Sequence, residues 1–143
     1  MKRNHLIKLF WRIHPKIYHW SGGRIGSSIM GLPVLLLTTK GRKTGLLRTK
    51  ALMYIPYGEN FVVYASNLGE SKHPAWWLNL ETNSKATVEV KGTSYNVRAR
   101  EAEGEEREKL WHKVTDRVPA YNQYQTRTSR RIPVVVLERE QPI

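Results

Sequence analysis

Residues 33–52, "PVLLLTTKGRKTGLLRTKAL", set an apolar run against a basic turn, and their reading decides the fold. Residues 33–39 are almost continuously apolar, the pattern of a strand buried on both faces. Residues 38–50 then carry five cations (Lys40, Arg42, Lys43, Arg48, Lys50) and no acid, with Gly41 and Gly45 bracketing Arg42-Lys43-Thr44. A tight turn of this composition between two strands needs an anionic partner of some kind.

Working outward, residues 48–55 and 60–65 flank "PYGE", whose Pro56 and Gly58 predict a hairpin turn. Residues 85–91 and 94–100 alternate cleanly around Gly92-Thr93, predicting a second hairpin, and residues 132–140 form a last strand. Between them, residues 73–83 read as a short helix with Pro74 at its first position. Residues 104–117 read as a charged helix burying Leu110, Trp111 and Val114, ended by Val118-Pro119 and followed by a Tyr-rich segment. About six strands with regular turns and short flanking helices predict an α+β domain built on an antiparallel barrel.

The amino-terminal residues are of another kind. Leu6, Phe10, Ile13 and Ile17 recur at helical spacing, five basic residues and no acid occupy positions 1–20, and Pro15 interrupts the pattern. We read 1–28 as a basic amphipathic helix with the linker "SGGRIGSS", and 29–143 as the barrel domain. Such a helix suits the surface of an anionic bilayer; packing on the barrel with solvated lysines is the other reading. Lys8 and Arg12 break any signal-peptide core, so the segment is expected to be retained.

Composition narrows the function. A chain of 143 residues, 40% hydrophobic, supports one core. The net charge of +12 calls for an anionic partner: nucleic acid, a membrane surface, or a phosphorylated or carboxylated small molecule. The absence of cysteine removes disulfides and thiol chemistry and fits a cytoplasmic protein. The five histidines show no paired ligand spacing, so no metal is expected. There is no GxSxG, GxGxxG or Walker A pattern. Glu101, Glu103, Glu105, Glu106 and Glu108 open a helix and read as a solvated face.

Three clusters carry chemistry. In Gly41–Gly45 the glycines let the backbone approach an anion, Thr44 offers a hydroxyl, and Arg42, Lys43 and Arg48 offer charge-assisted bonds. In "ASNLGESKHPAWWLNL" (65–80) a polar loop leaves a strand, and a helix start bears Trp76 and Trp77, a combination suited to the edge and face of a flat heterocycle. In residues 119–133 Tyr121 and Tyr124 share a helical face beside Arg127, Arg130 and Arg131. That third cluster also permits stacking on single-stranded nucleic acid. The concentration of cations in short loops speaks against it, and no nucleic-acid partner is expected.

In this order and spacing, "PVLLLTTKGRKTGLLRTKAL", "ASNLGESKHPAWWLNL" and "YNQYQTRTSRRIPVVVLE" resemble the deazaflavin-dependent nitroreductase family of actinobacteria, over residues from about 30 to 139. The resemblance implies a split β-barrel related to FMN-binding reductases, and coenzyme F-420, a deazaflavin with a phosphodiester and an oligoglutamate tail. It places phosphate and tail against Arg42, Lys43, Thr44 and Arg48. Lys50, Ala51, Leu52, Met53, Tyr64, Ala65, Ser66 and Asn67 would line the ring. Ala75, Trp76, Trp77, Leu78 and Asn79 would complete that wall, with Tyr121 closing over it. Some relatives carry Tyr at positions 53 and 118 and Lys at 67, where this chain has Met53, Val118 and Asn67.

The implied activity is hydride transfer to a small electron-poor acceptor: a quinone, a nitroaromatic, or an α,β-unsaturated carbonyl or lactone. Ser66 and Tyr124 are the candidate catalytic residues, hydrogen-bonding the acceptor oxygen. The same fold holding FMN, and a carrier without chemistry, are the alternatives.

Overall fold

The computed structural model describes residues 28–29 and 32–140, so the expected amino-terminal helix, Ser28 apart, lies outside the described residues. Eight strands are formed: β1 (Ser28–Ile29), β2 (Leu32–Lys40), β3 (Leu47–Met53), β4 (Ile55–Tyr57), β5 (Asn60–Tyr64), β6 (Lys85–Val90), β7 (Thr93–Glu101) and β8 (Val134–Arg139). Three α-helices join them: α1 (Ala75–Thr82), α2 (Gly104–Arg117) and α3 (Ala120–Arg127). A single 3-10 turn covers Asn67–Gly69.

All pairings are antiparallel, in the order β1-β2-β6-β7-β8-β5-β4, with β3 also on β2. The chain passes from β3 to β4 through Tyr54 alone, and this closes the ring. β3 pairs β2 (Val34↔Met53), whereas β4 pairs β5 (Ile55↔Val62), so one bent strand serves two neighbours. The sequence predicts one hairpin from 48–55 and 60–65; the strand instead changes partner at Tyr54, and only Ile55–Tyr57 pairs β5. The Tyr54 N–H still bonds the Pro33 carbonyl (3.0 Å), and its ring meets Phe61 edge-on at 5.4 Å. Pro56 sits inside β4, and the turn is Gly58-Glu59.

Period-two alternation sends the two faces of each wall into separate cores. Leu35, Leu37, Phe61, Val63, Val88, Val97, Val135 and Leu137 pack with Trp76, Trp77 and Leu80 of α1. Val62, Tyr64, Val134 and Val136 point the other way, onto Leu110, Val114 and Tyr121 of α2 and α3. Burial on both faces is why β2 and β8 read as continuous apolar runs rather than alternating ones.

Smaller departures have local causes. The β6–β7 turn is Lys91-Gly92, since Val90 pairs Thr93, and Lys91 takes the left-handed conformation (φ 49°). Pro74 is the residue before α1, extended at ψ 149°, rather than its first helical residue. In α2 Trp111 is only half-buried, and Arg107 takes the expected inner place. Its Nη1 donates to the Ile132 carbonyl (2.6 Å) while the guanidinium lies 5.6 Å from the Trp111 ring centroid. A charge enters the apolar stripe because that carbonyl needs a donor.

Glu106 also leaves the solvated face expected of the acidic run. It accepts two bonds from Arg100 (2.6 and 2.9 Å) and one from the Tyr57 hydroxyl (3.0 Å), pinning α2 to β7 and β4. Arg100 continues to Glu138 (3.1 Å). The Arg100 bonds pull the Glu106 carboxyl down to about 2. A carboxylate depressed in the fold contributes stability above its unfolded value, lost as pH falls through the folded one. Urea midpoints of the wild type should therefore drop as pH falls from about 4.5 to about 2, and in Glu106→Gln that part of the slope should vanish, with a lower midpoint at pH 7.

Candidate cofactor cleft

The β2–β3 turn is held by its own backbone. Gly41 N–H donates to the Leu46 carbonyl and Gly45 N–H to the Gly41 carbonyl, both at 2.8 Å, while Leu46 N–H donates to Thr44 Oγ1 at 3.2 Å. Gly45 has φ +73°, a conformation that glycine takes without a steric penalty. The glycine N–H groups are thus spent inside the turn. Among the described residues the Lys43 and Thr44 N–H groups carry no intramolecular bond, and Thr44 Oγ1 keeps its proton for donation.

Asn79 of α1 anchors this turn to the barrel. Its amide is 3% exposed; Oδ1 accepts from the Arg42 N–H (3.1 Å) and Arg42 Nη1 (3.2 Å), and Nδ2 donates to Thr39 Oγ1 (3.1 Å). One buried side chain therefore fixes the turn, the end of β2 and the orientation of Arg42. Between turn and α1 lies a cleft of about 530 Å³. Arg42, Lys43, Thr44, Arg48 and Lys50 line one side, and Asn67, Ala75, Trp76 and Asn79 the other.

Among the described residues Arg42, Lys43, Arg48 and Lys50 have no carboxylate partner. Desolvation in the cleft lowers the Lys50 pKa from its ordinary value, although its side chain keeps contact with solvent. The lining holds one acid, Glu70, against the cations Arg42, Lys43, Arg48, Lys50 and Lys72, so the cations still repel one another, and an anion of several charges would relieve this.

The loop leaving β5 forms the far wall, and it is strained. Asn67 (φ 47°), Leu68 (φ 56°) and Gly69 (φ 78°) are successive left-handed residues. A Cβ on Gly69 would lie 2.7 Å from the Tyr124 carbonyl oxygen, so the loop seats directly on α3. Arg130 holds it there, donating to the carbonyls of Ala65 (3.1 Å), Ser66 (2.7 Å) and Glu70 (3.0 Å) and meeting His73 Nδ1 at 3.1 Å. Arg127 Nη1 donates to the Leu68 carbonyl (3.3 Å). These two arginines, which the sequence offers to nucleic acid, are committed to the fold. His73 and Thr39 are not among the site residues the sequence suggests, and Arg130 is there a ligand-facing cation rather than the brace of this loop; its place just before the last apolar strand was the available signal.

Other expected site residues stand elsewhere. Trp76 and Trp77 are both buried, and only Trp76 reaches the cleft; Trp77 is wholly part of the barrel core. Ala51 is buried beside Val34 and Leu36, Leu52 packs against the barrel core, and Leu78 lines no part of the cleft. Met53 and Val118, two of the positions where relatives differ, pack in the second core, whereas Asn67 lines the cleft. Tyr64 and Tyr121 belong to that second core too, with rings 5.5 Å apart. Tyr64 donates to the Leu110 carbonyl at 2.6 Å, and burial raises both phenol pKa values. Tyr121 is therefore enclosed rather than a free lid; the α3 face it shares with Tyr124 (rings 5.4 Å apart) turns toward α2. Ala65 and Ser66 are buried at the root of the loop, and Ser66 Oγ has no partner among the described residues.

A curled antiparallel barrel, with α1 packed on the barrel core, α2 and α3 on the opposite face and a cationic cleft beside α1, makes this chain a split-barrel α+β protein. Comparison with known proteins narrows the class. The chain belongs to the F420H(2)-dependent quinone reductase family, whose pattern matches residues 10–139. It is 39% identical over 132 residues to an F420H(2)-dependent quinone reductase of Mycobacterium tuberculosis, covering 90% of this chain and 89% of the relative. Among solved structures, an F420-H2 dependent reductase (FDR-A) is similar with TM-score 0.68 and 38% identity, over 74% of this chain and 94% of that one. A domain-swapped dimer is similar with TM-score 0.71 and 33% identity, over 89% and 95%.

The anchoring role of Asn79 has a measurable consequence. Asn79→Leu leaves the Thr39 hydroxyl and Arg42 N–H unpartnered, so urea unfolding should show a loss of about 1–3 kcal/mol. An unchanged midpoint would mean that water replaces the amide at no cost.

Proposed function

We propose that the protein is a coenzyme F-420-dependent reductase acting on an electron-poor acceptor, a quinone first of all. The observation that carries this reading is the excess of cleft cations over the one acid of the lining, Glu70, which suits a cofactor whose phosphodiester and oligoglutamate tail are polyanionic. Arg42, Lys43, Thr44 and Arg48 would hold phosphate and tail, with Lys50 adding charge deeper in. Asn67, Ala75 and Trp76 would border the ring, and Asn79 serves by fixing Arg42. The reduced cofactor supplies the hydride; the protein supplies position, charge and shelter from water.

Around that hydride the chain's own groups act as orienting dipoles. The Ser66 hydroxyl, buried and without a partner among the described residues, is the stronger candidate for donating to the acceptor oxygen as it gains charge; Tyr124 packs on the second core outside the cleft lining and would have to turn to reach it. Membership of a quinone reductase family supports the acceptor class. FMN is less well matched, since a monophosphate would leave several of these cations without a partner.

Binding and turnover test the reading together. Arg42→Ala and Arg48→Ala should each weaken F-420 binding at least about tenfold in a titration, beyond the loss of a solvated charge, with thermal unfolding nearly unchanged. Reduced F-420 should be oxidised by menadione in the presence of wild-type protein. Tighter binding of FMN than of F-420, or no oxidation by any quinone, would overturn the proposal.

Peripheral membrane contact through the basic residues 1–28 belongs to the same reading, because long-chain quinones reside in lipid. A chain lacking residues 1–25 should pellet less with anionic liposomes than the full chain. Equal pelleting assigns the segment to the barrel surface instead.

A further inference from the structure

The β2–β3 hairpin ends in two side chains that the fold does not use. Leu46 and Leu47 are 59% and 74% exposed, the exposed large apolar side chains among the described residues. At the start of β3 Leu47, Arg48, Thr49 and Lys50 are all exposed. Register separates the two faces of the hairpin. Lys40 pairs Leu47 and Thr39 pairs Arg48, so Leu47 and Lys40 share one face and Thr39 and Arg48 the other. Thr39, Arg48 and Lys50 line the cleft, and Thr49 reaches it from the other face; Lys40, Leu46 and Leu47 do not. The leucines therefore stand outside the lining of the cleft, with Lys40 opposite Leu47 in the register.

We propose that this hairpin tip docks on an anionic lipid bilayer, with Leu46 and Leu47 in the headgroup boundary and Lys40, which the cleft does not use, on a lipid phosphate. Charge and area select this occupant. Residues 38–50 hold five cations and no acid, so the partner is anionic. A second copy would bring the same five cations to the contact. Two leucines also supply little of the ~800 Å² per partner that a stable interface buries. A nucleic acid matches the charge but gives leucine no apolar medium. An anionic bilayer supplies both, combining apolar burial with electrostatic attraction. Residues Gly41–Thr44 join the tip to the cleft, so docking sets the cleft beside the membrane surface. On the reductase reading, and only there, this brings the site to an acceptor dissolved in lipid.

Vesicles of phosphatidylcholine, with and without about one-third phosphatidylglycerol, test the tip in the full chain. The wild type should sediment with the anionic vesicles, and Leu46→Ser/Leu47→Ser should reduce that partition about tenfold. F-420 titration of the double variant should match wild type. Because the chain has no cysteine, Leu47→Cys takes a polarity-sensitive dye at one place, and its emission should shift to the blue on anionic vesicles alone. Equal partition of wild type and double variant, or a dye that reports water throughout, overturns the proposal. So does a wild-type dimer in sedimentation that the double variant dissociates, which would assign the tip to a second copy. If wild type binds no F-420 while the leucine dependence persists, the docking surface stands and the reductase reading falls.

Discussion

The bridge made by the Asn79 amide, between Arg42 on the turn and Thr39 at the end of β2, is the constraint on which the cleft depends. Without it the β2–β3 turn would be tied to the barrel only through its own strands, and Arg42 would sample many rotamers. Asn suits the place because it offers an acceptor and donors at once. A carboxylate there would answer Arg42 with a charge, and would neutralise the very side chain that an anionic ligand needs. A neutral amide orients the guanidinium and leaves its charge unspent.

The opposite wall follows a different logic. Successive left-handed residues at Asn67 and Leu68 cost on the order of 1–3 kcal/mol each, so the loop needs outside support. Arg130 supplies it with bonds to three carbonyls, and Gly69 lets the loop settle onto α3. Fixed loop on one side and fixed turn on the other make the cleft a preformed shape, which lowers the ordering cost of binding. Burial lowers the Arg130 pKa from its ordinary value. A guanidinium tolerates this where an amine would tend to lose its proton, because its intrinsic pKa is so high.

Much of the architecture was legible in residues. Alternation in 85–101, the apolar runs at 33–39 and 134–137, and the helix at 104–117 all match their elements. The ring closure at Tyr54 was not, because a strand that changes partner keeps the same local pattern on both sides of the break. The cationic half of the cleft showed itself as charge without acid. The aromatic half misled, since Trp77, Tyr64 and Tyr121 read equally well as ligand wall or as core, and which face a ring takes is a tertiary fact. Arg107, Arg130 and Glu106 were misjudged for one shared reason. A charged side chain looks solvated in sequence until the carbonyl or counterion that claims it is known.

The distribution of acids completes the physical picture. The acid-containing ion pairs that hold the fold, Arg100 with Glu106 and Glu138, lie on β7, α2 and β8, away from the β2–β3 turn. Segregation of this kind is costly, because cations at Arg42, Lys43, Arg48 and Lys50 repel one another and outnumber Glu70, the one acid in the cleft lining. A surface selected for stability alone would intersperse the signs. The hairpin instead keeps its cations without carboxylate partners among the described residues, four in the cleft lining and Lys40 beside the exposed leucines. A single strand pair can thus meet two kinds of phosphate, a cofactor's on one side and a lipid's on the other.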